Sequence, residues 1–224
     1  MTIELRVLTR PQDLAAMPDF EDLIWGGEDE RVSVNVLVAV ISEGGVAIGA
    51  FDDGNLVGSA FGFPTHDPAV LHSHYLAVHP AHRGSGLGER IKRAQAEWCL
   101  ANGYTAMRWT FDPLQLTNAH LNLNKLRAIG VAYHVDHYGA LGGINGSLPS
   151  DRLTVRWDLV ATDRRFRESF VLDVPLVSSE QIAAAASEAV AARLSVRDSM
   201  AAHLEDGWRV TGVDRAARTY TLSR

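Results

Sequence analysis

The sequence predicts a mixed α/β fold (α/β in composition, α+β in layout): a mixed sheet with helices on both faces, carrying a C-terminal α/β extension. Three observations predict it. Strand-type and helix-type stretches follow one another in the order β-α-α-β-β-β-α-β-α-β-β. Asp52-Asp53-Gly54-Asn55 separates two apolar runs as a hairpin turn does. Beyond Leu159 come another strand pattern, a long alanine-rich helical stretch and a last hairpin, with no low-complexity linker and no internal repeat.

Each element has its own signal. Ile3 to Leu8 alternates as a strand, and Thr9 before Pro11 marks the entry to a helix expected to reach Trp25 and stop at Gly26-Gly27. Val34, Leu37, Val38 and Ile41 recur at helical spacing before Gly44-Gly45, while their β-branched content favours a strand. Val46–Phe51 and Leu56–Phe63 form the hairpin, and a strand covers His72 to Val78, broken by Pro80. From Gly86 a helix carries the stripe Leu87, Ile91, Ala94 and Trp98, with Glu89, Lys92, Arg93 and Glu97 off it, and closes at Asn102-Gly103. Tyr104–Phe111 is a strand ending at Asp112-Pro113. A helix from Asn118 to Ile129, stopped by Gly130, precedes a strand at Val131–Tyr138. The glycine-rich loop Gly139–Gly146 leads to a strand at Leu153–Leu159. The extension holds a strand at Ser169–Val174, a helix from Ser179 to Glu205, and a hairpin of Trp208–Val213 with Arg218–Leu222.

Composition narrows the function. The 224 residues are 46% hydrophobic, enough for a sizeable core, and 21% charged, as in ordinary soluble proteins. A net charge of −6 argues against a nucleic-acid footprint, which needs clustered Lys and Arg. Val32–Ala50 is apolar-rich but interrupted by Ser33, Asn35, Ser42, Glu43 and Gly44-Gly45, which argues against a membrane span. The N-terminal residues lack the apolar segment of a signal peptide. Cys99, the single cysteine, permits neither an intramolecular disulfide nor a Cys-rich zinc site. The expectation is a cytoplasmic protein with no metal, no nucleic acid and no membrane partner.

The most informative stretch runs from His72 to Gly88, HSHYLAVHPAHRGSGLG. A strand runs into Arg83-Gly84-Ser85-Gly86-Leu87-Gly88 and then into a helix. Backbone N–H groups at a helix N-terminus, approached over glycines, form a site for a phosphate or pyrophosphate. This is not a Walker A loop, since no Lys-Ser/Thr pair follows, and the spacing differs from GxGxxG. His72 and His74 alternate on the strand and are expected to share one face with Leu76 and Val78. They suit either a proton-transfer role, a metal pair or a plain structural role.

At Arg83, Gly86 and Gly88 the chain resembles the GNAT superfamily of acyl-CoA-dependent N-acyltransferases, whose pyrophosphate signature is Q/R-x-x-G-x-G/A. The element order from Ile3 to Leu159 fits the same family, so the resemblance implies a mostly antiparallel sheet flanked by helices. It divides the chain into an acyltransferase domain over residues 1–160 and an extension over 161–224 that covers the acceptor site or builds a dimer interface. It implies that Gly84, Ser85, Gly86, Leu87 and Gly88, with Arg83, hold the pyrophosphate of acetyl-CoA or another acyl-CoA. It further implies that the strand edge at Leu76, Ala77 and Val78 pairs with the pantetheine arm, and that Asn118, Asn122 or Lys125 faces the cofactor.

His72-Ser73-His74-Tyr75-Leu76-Ala77-Val78-His79 is similar to the equivalent strand of arylalkylamine N-acetyltransferases, where two histidines relay a proton from the amine through water. The chemistry wants such a relay: an ammonium has no lone pair, and amine pKa values of about 8 and above suit a base that titrates near neutrality. A backbone N–H near Val78 is then placed to stabilise the oxyanion. The family's tyrosine, four residues before the glycine that closes the second-motif helix, is absent: counting back from Gly130 reaches Leu126. Tyr138, Tyr133 or His120 is left to protonate the departing thiolate, or it leaves unassisted. Trp109, Phe111 and Asp112 lie where the family's acceptor enters, and Arg152 suits a carboxylate clamp or a surface strand position. The expected activity is transfer of an acyl group, acetyl first among them, to a small-molecule amine, an amino acid included. The other readings are a non-catalytic CoA-binding sensor and a His-metal hydrolase.

Overall fold

We describe the chain from a computed structural model, which covers residues 3–26, 31–139, 148–175, 177, 184 and 187–224. Gly27, residues 140–147 of the glycine-rich loop and most of residues 178–186 lie outside the described residues. The chain divides into two compact units, residues 1–109 and 110–224.

In the first unit, β1 (Glu4–Leu8) is followed by α1 (Pro11–Leu14) and α2 (Met17–Trp25). The single helix expected from Pro11 to Trp25 is thus two. Pro18 lies in the first turn of α2, where it needs no N–H; a continuous helix would lose the Pro18 bond to Leu14. Gly26 ends α2 in the left-handed region, φ 70°, its N–H donated to the Asp22 carbonyl. α3 (Val34–Ser42) is a helix despite its β-branched content, capped by Ser33 Oγ, which accepts the Val36 N–H. β2 (Val46–Asp52) and β3 (Asn55–Pro64) form the hairpin, with Asp53 (φ 47°) and Gly54 (φ 83°) supplying the two left-handed residues of its tight turn. β4 (Val70–Val78), a 3₁₀ turn at Pro80–His82, α4 (Leu87–Ala101) and β5 (Ala106–Phe111) follow, β5 running across the boundary between the units.

The sheet order here is β1-β2-β3-β4-β5, antiparallel except for the β4–β5 pair. One face is covered by α1 to α3 around Leu8, Leu14, Met17, Leu37, Ala47 and Phe61. The other meets α4, whose buried stripe is Leu87, Ile91, Lys92, Gln95, Ala96 and Cys99. Ala94 and Trp98, expected on that stripe, sit at its margin, and Lys92, expected off it, is inside, as is Cys99.

The second unit opens with α5 (Leu116–Ala119), which widens into one π-helical stretch at His120–Lys125. Arg127, φ 60°, ends it, so the helix stops short of Ile129. Gly130 is no helix terminator. It belongs to β6 (Ile129–His134), where a Cβ would stand 2.7 Å from Val210 Cβ. β7 (Arg152–Asp158), β8 (Ser169–Asp173), α6 (Ser187–Glu205), β9 (Arg209–Asp214) and β10 (Thr219–Ser223) complete the unit. Its strands run β7-β6-β9-β10-β8, all neighbours antiparallel. β6 ends at His134, so Tyr138 lies in a turn rather than a strand.

Buried ion pairs tie α6 to this unit. Arg193, 2% exposed, makes a two-pronged pair with Asp112, both contacts 2.7 Å. Arg197 grips Asp151 in the same way at 2.8 Å, and the Tyr133 hydroxyl also donates to Asp151 at 2.7 Å. The Tyr220 hydroxyl donates to the Pro113 carbonyl at 2.6 Å, so the Asp112-Pro113 corner is held from two sides. Arg193→Met leaves Asp112 without its partner and is expected to lower stability by about 3–5 kcal/mol, read as a shift of the urea midpoint.

Candidate active site

β4 pairs with β5 only over Val70, Leu71 and His72. From Ser73 to Val78 it pairs with β3 and, among the described residues, with no strand on its other edge. His79 N–H bonds the Val57 carbonyl at 2.9 Å, which makes His79–Val57 a hydrogen-bonded pair of the antiparallel ladder. The alternation of such a ladder then turns the N–H and C=O groups of Leu76 and Val78 toward the open edge. Arg83 Nε already donates to the Val78 carbonyl at 3.3 Å.

The chain leaves β4 through the 3₁₀ turn and enters Arg83–Gly88. Gly84 and Gly86 adopt φ 77° and 83°, and nothing lies within 4 Å of where their Cβ atoms would stand. Ser85 Oγ closes the turn on the His82 carbonyl at 2.7 Å. Leu87, 2% exposed, anchors the first turn of the fifteen-residue α4. The open turn, the helix N-terminus and the free strand edge fit an extended ligand with an anionic group at one end.

β4 carries one residue more than β3 between Phe61–Tyr75 and Gly62–Ser73, and the extra residue is His74. The bulge reverses the facing of everything after it. Before it, Ser73 is paired with Gly62, whose Cβ would point at Leu71 and at Gln95 of α4. After it, Leu76 and Val78 are paired with Ala60 and Gly58, and Gly58 points at Ile91 of α4. Leu76 and Val78 therefore face α4, not the side that carries His72, which corrects the expected common face. His72 and His74 do share a side, with ring centroids 6.3 Å apart.

His72 stacks on Phe63 at 4.7 Å, and His74 packs against Phe63, Phe61 and Tyr75 at 5.6, 6.1 and 6.1 Å. One side of His74 is open to solvent, yet burial of its ring among these groups pushes its pKa below the ordinary imidazole value.

The opposite face of the strand is polar. Ser73 Oγ donates to Gln95 Oε1 at 2.7 Å and accepts from Lys92 Nζ at 2.6 Å. The Lys92 ammonium also sits 3.7 Å above the Trp109 ring. Lys92 is 2% exposed, and burial brings its pKa down to about 7. Burial pushes the Cys99 thiol up to about 12, which disfavours the thiolate that a nucleophile needs. Trp109 thus serves the packing of Lys92. Lys92 was missed because the helical stripe was drawn through Ala94 and Trp98; drawn through Ala96 and Cys99 it includes Lys92.

The remaining candidates belong to the second unit. Asn118 of α5 and Lys125 of the π-helical stretch are exposed and Asn122 is 4% exposed, so the three are not presented alike. The Tyr133 phenol is committed to Asp151, and burial first, then that hydrogen bond, raises its pKa. The Tyr138 hydroxyl is exposed and lies 3.1 Å from Thr110 Oγ1. His120 Nδ1 contacts Asn124 at 3.1 Å, and Asn124 bonds both the N–H and the carbonyl of Val213. Asp112, engaged by Arg193, is structural. Arg152 donates to the Asp151 carbonyl and lies over the Tyr138 ring at 5.3 Å. Leu126 is 2% exposed, as a packing residue is. Among the described residues no group of three or more His, Cys, Asp or Glu side chains is arranged to hold a metal ion, and no helix is long and apolar enough to cross a membrane.

A sheet strand parted from its parallel neighbour and running into a glycine turn at a helix N-terminus is the arrangement that the resemblance to the GNAT superfamily implies. Residues 15–121, just under half of the chain, match the family model described as the Acetyltransferase (GNAT) family. Solved structures share the fold at low identity. yncA from Salmonella typhimurium, with its cofactor acetyl-CoA, is 17% identical and aligns over 74% of this chain and 98% of its own, TM-score 0.58. The ribosomal-protein-S18-alanine N-acetyltransferase from Escherichia coli is 14% identical over 74% and 100%, TM-score 0.58. Ard1 from Thermoplasma volcanium is 14% identical over 72% and 100%, TM-score 0.55. No curated protein sequence matches the chain.

The buried Lys92 has a measurable signature. Its pKa falls from 10.5 in the unfolded chain to about 7, so between those values the unfolded state binds the extra proton and stability rises with pH. Lys92→Met is expected to flatten that rise and to gain most over the native protein below pH 7, read from urea midpoints at pH 6, 7 and 9.5.

Proposed function

We propose that the chain is an acyl-CoA-dependent N-acyltransferase that moves an acyl group, acetyl first, directly onto the amine of a small molecule, an amino acid among the candidates. The observation that carries this is the open edge of β4 from Ser73 to Val78, leading without a break into the turn Arg83–Gly88 and the N-terminus of α4. When bound, acyl-CoA supplies a thioester. In this reading the N–H groups of Gly84 to Gly88 and the Arg83 side chain hold its pyrophosphate, and the Leu76 and Val78 backbone groups align its arm as an added strand would. Asn118, Asn122 and Lys125 are the further cofactor candidates. No metal takes part, and nucleic acid and membrane are not partners. A cytoplasmic setting and a homodimer built through residues 161–224 belong to the same proposal.

His72 and His74 act as the route for the acceptor's proton. An ammonium gives one proton to the pair, through a water that bridges rings 6.3 Å apart. The freed nitrogen lone pair forms the C–N bond while the carbonyl oxygen takes negative charge, opposite the Val78 N–H. The C–S bond then breaks, the sulfur leaves with its electron pair and takes up a proton, and the nitrogen loses its second proton. The net balance is ammonium plus thioester giving amide, thiol and one proton. Tyr138 is proposed as the acid for the thiolate, being the tyrosine of the pair whose hydroxyl is not tied to a carboxylate. The alternative, a CoA-binding sensor without activity, is favoured by one observation, the buried Leu126 in place of the family's tyrosine.

The experiment is a panel of primary amines and amino acids with acetyl-CoA and succinyl-CoA, followed by free-thiol detection. Steady thiol release dependent on an amine is expected; acyl-CoA binding with no turnover against any amine establishes the sensor instead. His74 works as a base only when neutral, and burial, which lowers its pKa, keeps it neutral further into the acid range than an ordinary imidazole. His72→Ala and His74→Ala are expected to lower kcat/KM by about 10²–10⁴-fold in the acid range. The loss should shrink as the pH approaches the amine's own pKa, with acetyl-CoA affinity unchanged. Unchanged pH profiles in both variants would sink the relay.

A further inference from the structure

β4 and β5 run parallel where they pair, with Val70, Leu71 and His72 in register with Ala106, Met107 and Arg108. Side chains alternate along both strands, so Leu71, Ser73, Met107 and Trp109 share one face and Val70, His72, Ala106 and Arg108 share the other. Lys92 of α4 marks the first face: its Nζ bonds Ser73 Oγ at 2.6 Å and sits 3.7 Å above the Trp109 ring. The second face is the one on which His72 stacks against Phe63. Cover on this second face runs out in step on the two strands. Val70 is 2% and Ala106 0% exposed, whereas two residues on His72 is half-buried and Arg108 is exposed, as is His74 beyond them. The face is open from the level at which β4 and β5 stop pairing.

Arg108 is the cation at that opening. Among the described residues, no hydrogen bond or ion pair engages its guanidinium. Every other arginine described in the first unit is engaged. Arg6, Arg10, Arg31 and Arg93 meet carboxylates, and Arg83 and Arg90 donate to backbone carbonyls.

The N–H bonds of a guanidinium form a planar fork that matches the two oxygens of a carboxylate. His72 and Arg108 stand in register on neighbouring strands, whose backbones lie about 5 Å apart. An α-amino acid holds its nitrogen and its carboxylate on one carbon, so a single such molecule can meet both side chains. Charge points the same way. A bare ammonium approaching the histidines meets an uncompensated cation, whereas an amino acid brings its own negative charge. A phosphate also suits a guanidinium, but the backbone N–H groups that phosphate sites gather lie past the far end of β4, at the start of α4.

We propose that Arg108 clamps a carboxylate on the acceptor and so makes the site selective for α-amino acids over bare amines. This rests on the transferase reading above and narrows its acceptor. Arg108 is a binding residue here; the proton route stays with His72 and His74.

The test measures thiol release from acetyl-CoA with alanine, methionine and phenylalanine. Each is set against the amine that lacks its carboxylate: ethylamine, 3-(methylthio)propylamine and 2-phenylethylamine. In the native protein the best amino acid is expected to exceed its amine in kcat/KM by about 10-fold or more. Arg108→Gln, at an exposed position, should abolish that preference by raising KM for the amino acid while leaving the amine unchanged or better. Arg108→Lys keeps the charge without the fork and should restore part of it. Equal loss on amino acid and amine in Arg108→Gln overturns the proposal. So does a native preference for the bare amines, or for O-phosphoethanolamine over every amino acid. Calorimetric titration of the whole protein with the same amino acids, CoA present, needs no turnover. Binding weakened about 10-fold by Arg108→Gln supports the clamp, and unchanged or absent binding overturns it. Acetyl-CoA titrated alone judges the cofactor reading separately: its failure to bind counts against the transferase, and its unchanged affinity in Arg108→Gln shows the variant intact.

Discussion

The extra residue in β4 at His74 is the constraint on which the first unit's chemistry depends. A regular strand shows each face every second residue, so His72, His74, Leu76 and Val78 would all point one way. The pair of histidines needs one face, and α4 needs apolar cover on the other. A strand without the bulge cannot place His72 and His74 on the aromatic side and Leu76 and Val78 against α4. The bulge satisfies both, and it brings Tyr75 round to the side of Phe61 and Trp25. It also falls just where β4 parts from β5, whose pairing ends at His72. Loss of the ladder and local extra twist are what a bulge produces, and here they coincide with the open edge of β4.

The two faces of this strand treat protons in opposite ways through the same cause. Desolvation disfavours charge, so it lowers the basic groups and raises the acidic one. His74 moves down on the aromatic side, Glu21 moves up beneath Tyr75, and Lys92 moves down on the α4 side. Glu21 and Lys92 meet near neutrality from opposite directions. Their effects on folding also oppose each other. A raised Glu21 makes the native state bind a proton that the unfolded chain releases, so stability declines between pH 4.5 and about 7. A lowered Lys92 makes stability climb from about 7 upward. The least favourable pH for these two groups taken together lies between them, close to 7.

Much of this was open to reading in the chain. The hairpin at Asp53-Gly54, the strand from His72, the glycine turn and α4 rest on local signals, namely alternation, positive-φ glycine and helix periodicity, which tertiary contacts did not override. The failures share a different cause. A bulge is decided by cross-strand register, which β4 alone does not encode, so the shared face of His72 and Leu76 was wrong. Gly130 carried a glycine's usual meaning as a helix stop, but its reason is the 2.7 Å that Val210 would leave to a Cβ, a contact 80 residues away in sequence. The helix that should have reached it ends at Arg127, a non-glycine in the left-handed region. Lys92 reads as a surface charge on an amphipathic helix and Glu21 carries no sequence signal of its own, since charged side chains so placed are solvated in most proteins. Their burial shows only once the sheet behind them is known.

The absent tyrosine at Leu126 weighs less than its place in the family pattern suggests. Two proton transfers differ in difficulty along the proposed route. Taking a proton from an ammonium with a pKa of about 8 or more, at neutral pH, is uphill and requires a base held in place. Returning one to a thiolate whose conjugate acid has a pKa of about 8.5 is close to balanced, and the thiolate departs without it at modest cost. In that route His72 and His74, ring centroids 6.3 Å apart, are proposed for the harder of the two steps, while the Leu126 position is filled with packing. The Tyr133 phenol, fixed to Asp151 beside Arg197, serves the ion-pair network of α6, and the same residue type does structural work in one position and is left exposed at Tyr138 in another. Environment, rather than residue type, separates the two roles.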